Sequence, residues 1–139
     1  MFNKNFAMFQ ILKTLVLLLI TGMAFGQDPI VALKFKPPRP AVKDVAWNKP
    51  FDVNSTEKAE ELFGKEAAKG IGKEVDFTKQ YLLVFLWQGS GGDKLNFTVA
   101  ESNPEHFSFS MKRGLTRDLR QHMQVYVLRS NVTWKIMDQ

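Results

Sequence analysis

Seven consecutive apolar residues, Tyr81–Trp87, run directly into a Gly-Ser-Gly-Gly-Asp sequence at Gly89–Asp93. A strand with one face in water alternates apolar and polar side chains; a uniform run this short has to be covered on both faces. The glycines permit positive φ where the chain reverses, so the run reads as a central strand ending in a tight corner. Whatever the rest of the chain does, it has to supply material for two sides of that strand.

Four shorter runs follow, and each alternates. Leu95, Phe97 and Val99 oppose Asn96 and Thr98; Phe107, Phe109 and Met111 oppose Ser108 and Ser110. Met123, Val125 and Val127 oppose His122, Gln124 and Tyr126, and Val132, Trp134 and Ile136 oppose Thr133 and Lys135. Period-two patterning broken by turn residues is the pattern of antiparallel hairpins. Ahead of the central strand, Asn54 or Ser55 can cap a helix, and Glu57, Glu60 and Glu61 suit the positive end of its dipole. Ala59, Leu62, Phe63 and Ala67 form its apolar stripe, with Gly64 a weak point and Gly70 a terminator, which predicts a helix over 55–69. The expected fold class is α+β: an antiparallel five-stranded β-meander with one helix packed on a face. Ile30–Lys36 alternates enough to offer an extra N-terminal strand at an edge. Pro37, Pro38 and Pro40 then make a rigid extended connector, and Trp47 is expected to plug the core.

The first 26 residues read as a secretory signal peptide. Lys4 and Lys13 precede and enter an apolar stretch that ends in Ala24-Phe25-Gly26, the small-x-small cleavage pattern, so Gln27 is the expected mature N-terminus. The stretch is shorter than the ~20 residues a spanning helix needs, so no membrane anchor is expected after cleavage. Residues 27–54 then form an N-terminal strand and Pro-rich connector, and 55–139 a single α+β domain. Loss of two lysines and no acid lowers the net charge from +5 to +3, too mild to argue for nucleic acid. The chain has no cysteine, so an exported domain of this kind is held by its core alone, which fits a bacterial envelope or secreted protein.

Catalytic patterns are thin. Gly89-Ser90-Gly91 follows a strand, but Gln88 stands where a nucleophile elbow needs its first glycine, and a strand rather than a helix comes next. Only His106 and His122 can serve as bases, and both sit near expected strand starts, so a structural turn is the preferred reading. Two histidines and no cysteine give no metal-ligand spacing, and no cofactor motif is present. The loop Lys112–Gln121 is the more informative stretch, with Lys112, Arg113, Arg117 and Arg120 around Gly114 and Asp118. In a meander, alternate loops share an end of the sheet, so this loop and the Gly89–Asp93 turn are expected to be neighbours. Ser90, Asp93, Arg113, Arg117 and Arg120 then form one candidate binding surface. Two readings stay open: an anion or carboxylate site built from guanidinium forks, or a rigid corner in which Arg117 or Arg120 ties Asp93 down. The corner is preferred. The expected outer sheet face, Asn96, Thr98, Ser108, Ser110, His122, Gln124 and Tyr126, is hydroxyl-rich and offers a sugar-binding surface or a merely solvated one. Sequons at Asn54, Asn96 and Asn131 would accept glycans in a eukaryotic secreted protein and are polar cap and strand residues in a bacterial one.

From Val75 to Leu128 the order is Val-Asp-Phe, an apolar strand, a Gly-rich turn, a strand pair, a Gly-x-Thr loop and a Val-Tyr-Val strand. On Asp76, Phe77, Gly89 and the Gly91-Gly92 pair, this resembles small uncharacterised exported bacterial proteins. More distantly it resembles the C-terminal domain of protease-complex stability subunits of the PrcB type. The resemblance implies a non-enzymatic accessory domain that contacts another exported protein. The Arg-rich loop departs from that pattern, so partner choice does not carry over. The function expected is thus a protein-interaction module of a bacterial envelope, secreted or periplasmic, with binding of a small sugar or anion at the Arg-rich end as the alternative.

Overall fold

The computed structural model describes residues 30–137. The signal peptide and its cleavage site lie outside them. The described chain is mixed α+β, with seven strands in two sheets and two helices. In chain order these are β1 (Ile30–Ala32), β2 (Phe51–Val53), α1 (Thr56–Phe63), α2 (Lys65–Gly72), β3 (Gln80–Ser90), β4 (Lys94–Ala100), β5 (His106–Lys112), β6 (Leu119–Arg129) and β7 (Thr133–Ile136). Sheet A has the order β1-β6-β3-β2 and is antiparallel throughout; sheet B has the order β4-β5-β7, with β5 and β7 parallel.

This corrects the single five-stranded meander. The reason lies in β3, whose Leu82–Leu86 are each no more than 1 % exposed. A single sheet with a helix on one face would leave the other side of that strand in water. Instead β3 pairs along all eleven residues with β6, and the β4–β5 hairpin between them folds over the open face as a second layer. Leu82, Val84 and Leu86 point to the helices, together with Ala59, Phe63, Ala67, Ala68 and Ile71. Leu83, Phe85 and Trp87 point to sheet B, against Phe107, Phe109, Met111 and Val132. Each fully buried Val, Leu, Ile, Phe or Met among these contributes roughly 1.5–3 kcal/mol by leaving water. Between the sheets the aromatic contacts are close, with Phe85 and Phe109 centroids 4.8 Å apart and Tyr126 5.5 Å from Phe109. Tyr126 is therefore half-buried between the sheets, His122 stacks on Trp87, and Gln124 pairs with Phe85; these three belong to sheet A and do not join the polar face of sheet B that Asn96, Thr98, Ser108 and Ser110 line.

The single helix expected over 55–69 is two, divided at its weak point, Gly64. Ser55 caps α1, its hydroxyl accepting from the Lys58 amide, and Gly64 stands between the two helices at φ 85°, a value that favours glycine. Gly70 does not end the second helix, which continues to Gly72 and buries Ile71. The Phe35 ring occupies the space a side chain at Gly70 would need. The N-terminal strand is shorter than its alternation suggested. After Ala32 the amides of Lys34 and Phe35 turn to the Glu74 carboxylate, at 2.9 and 2.7 Å, instead of continuing along β6. Among the described residues no helix is long and apolar enough to cross a membrane.

Candidate functional site

The chain passes from sheet A to sheet B between Ser90 and Lys94, and returns between Lys112 and Leu119. Because Ser90 pairs with Leu119 in one sheet and Lys94 with Lys112 in the other, the two crossings run side by side. The Gly89–Asp93 turn and the Lys112–Gln121 loop are neighbours for this reason, and not through the end-sharing of a meander.

Asp93 is the hub. Its side chain keeps 1 % of its surface in contact with solvent. It accepts from the Gly114 amide at 2.8 Å, from Arg113 Nη1 at 3.2 Å and from the indole Nε1 of Trp87 at 3.3 Å. Burial pushes this carboxyl up, but the Gly114 amide, the Arg113 charge and the Trp87 donor outweigh it and hold it below the usual carboxylate range. Asp118 plays the matching part on the other crossing. Its carboxylate accepts from the Gly91 amide at 3.0 Å and pairs with Arg120 Nε at 2.5 Å. The Thr116 hydroxyl, the Gly91 amide and Arg120 hold its carboxyl down at about 2.

Between these carboxylates the two backbones touch. Ser90 Oγ and Thr116 Oγ1 are 2.6 Å apart, and the Gly92 amide donates to both hydroxyls at 3.2 Å. A methyl group on Gly114 would overlap the Gly92 backbone, so this approach requires glycine. Below the turn, His122 stacks on Trp87 with centroids 4.8 Å apart and planes 10° apart, while its Nε2 donates to the Ser90 carbonyl at 2.8 Å. That imidazole nitrogen is committed to the main chain and not to Ser90 Oγ.

Of the five residues singled out from sequence, Ser90, Asp93, Arg113 and Arg120 come together in this corner, with the pairings exchanged. Arg113, not Arg117 or Arg120, ties Asp93 down, and Arg120 serves Asp118. Arg117 is exposed and makes no ion pair among the described residues. At the same end stand two apolar side chains that the charge pattern had overshadowed. Leu115 is 99 % exposed and Leu119 71 % exposed. Their signal in the sequence is that they are the only large apolar residues in a loop of arginines, with no alternation to assign them to a face. The site is therefore a braced platform of hydrogen-bonded carboxylates, hydroxyls and amides that carries an apolar tip between Arg113 and Arg117.

Among the described residues no three His, Asp or Glu side chains group as a metal-ligand set. Compared with protein-family models, curated proteins and solved structures, the chain matches none.

Proposed function

We propose that this chain is an exported, non-enzymatic interaction module that docks another exported protein through the Gly114–Arg120 loop. The observation that carries the reading is Leu115, wholly in solvent at the tip of a loop whose base is fixed by Asp93, Asp118 and Thr116. A large apolar side chain held out in this way loses nothing by burial in a partner, and the braced base reduces the ordering cost of binding. Arg117, two residues on, is exposed and without an ion pair among the described residues, so the partner it fits offers an apolar pocket with an acidic group at its rim. Binding of a small anion is the weaker reading, because two of the three guanidinium groups already hold carboxylates.

A pull-down from the native envelope fraction with wild-type protein, Leu115→Ser and Arg117→Glu tests it. A protein retained by the wild type and lost in both variants, at unchanged melting temperature, is the expected result. Equal retention by all three removes the loop from the account. Export is tested separately by intact mass: the mature chain is expected to begin at Gln27, and a chain that retains residues 1–26 in the membrane fraction contradicts it.

A further inference from the structure

We propose that β4 is a homodimer seam, along which two copies of this chain pair antiparallel about a two-fold axis at Phe97. β4 ends sheet B, with β5 on one side and, among the described residues, no strand on the other. An edge of this length is normally protected by proline, a bulge or inward charge. Between Leu95 and Ala100 there is no proline and no charge, and all seven β4 residues pair with β5 without interruption. Its inward-facing side chains are also incompletely covered, with Phe97 38 % and Val99 40 % exposed.

The sequence of β4 is complementary to itself read backwards. Pairing centred on Phe97 sets Leu95 opposite Val99 of the partner subunit and Asn96 opposite Thr98 of the partner subunit. Phe97 meets its own copy, and Lys94 comes opposite Ala100 of the partner subunit. Apolar faces apolar and polar faces polar. A slip of one residue would set Leu95 against Thr98 of the partner subunit and lose this match. The contact is isologous and closes, extending sheet B to six strands in the order β7-β5-β4-β4-β5-β7. The Phe97 ring is already held from behind by Phe107 and Tyr126, at 5.9 and 5.6 Å, so little order is lost when the second copy covers it. The seam does not depend on the docking loop, whose residues lie outside it. The antiparallel pairing places the two loops at opposite ends of the seam.

Sedimentation equilibrium on the purified chain over a wide concentration range tests the proposal, with hydrogen exchange read along β4. A reversible dimer is expected, and alternate β4 amides gain protection as it forms. Asn96→Asp with Thr98→Asp places like charges opposite each other twice across the seam and is expected to weaken the dimer about tenfold or more. Asn96→Asp with Thr98→Lys turns the same positions into two opposite-charge pairs and restores it. If the first variant fails to fold, Val99→Lys decides in its place. A chain that stays monomeric overturns the proposal. So does a dimer indifferent to these changes, or a monomer whose β4 edge gains protection only from an extended segment of another protein.

Discussion

Trp87 and His122 are partners across β3 and β6, and their rings lie 4.8 Å apart at 10°. From this stack the indole reaches up to Asp93 and the imidazole to the Ser90 carbonyl, so the last core pair of the long ribbon also holds the corner. Trp87→Phe keeps the stack but deprives a buried carboxylate of one of three donors. Unfolding by urea is expected to show a loss of about 1–3 kcal/mol. An unchanged midpoint would mean that Gly114 and Arg113 suffice for Asp93.

Arg113 and Arg117 separate structure from surface. Arg113→Ala leaves the Asp93 carboxylate short of its counter-charge. Since the guanidinium is itself 58 % exposed, a loss of about 1 kcal/mol is expected. Arg117→Ala is expected to stay within about 0.5 kcal/mol of wild type. In a double-mutant cycle, Arg113→Ala with Asp93→Asn loses less than the two single changes added. Strict additivity would show that the pair does not act as a unit.

Acid loosens the corner in a defined window. The Asp118 carboxyl is depressed to about 2, so its contribution is present above the unfolded carboxylate range near ~4 and disappears as pH falls through about 2. Asp93, also depressed, follows the same direction. The Gly91 amide resonance in NMR is expected to move with the Asp118 titration, at a midpoint of about 2. Movement at the ordinary aspartate value would show that the amide does not bind that carboxylate.

Both faces of β3 are predicted to resist change. Leu83 and Val84 point to opposite layers and both are fully buried. Leu83→Ala is expected to cost about 2–5 kcal/mol in chemical denaturation. Val84→Asp places an unpaired charge under the helices and is expected to lower the melting temperature further or prevent folding. An unaltered melting temperature for Val84→Asp would contradict the three-layer arrangement.

The central strand was legible because a uniform apolar run has one physical reading, and the helix break because Gly64 sits at a conformation suited to glycine. Layer order was not legible. Alternation in Phe107–Met111 says which side chains share a face, but not that the strand lies over Phe85 instead of beside it, nor that β7 joins β5 in parallel. The corner shows the same limit at smaller scale. Its charged residues could be gathered from chain order, whereas the choice of Arg113 over Arg117 for Asp93 depends on where each side chain leaves the backbone. Leu115 escaped notice because periodicity speaks only of residues in strands and helices.

The docking account rests most directly on what touches position 115 in the cell. A photoreactive amino acid placed at 115, with one at the exposed Glu61 of α1 as the control, tests it when irradiated in the producing cells. The expected result is a discrete adduct with another protein from position 115, absent from position 61 and lost when Arg117→Glu is added. No adduct from 115, or the same adducts from both positions, would contradict the account.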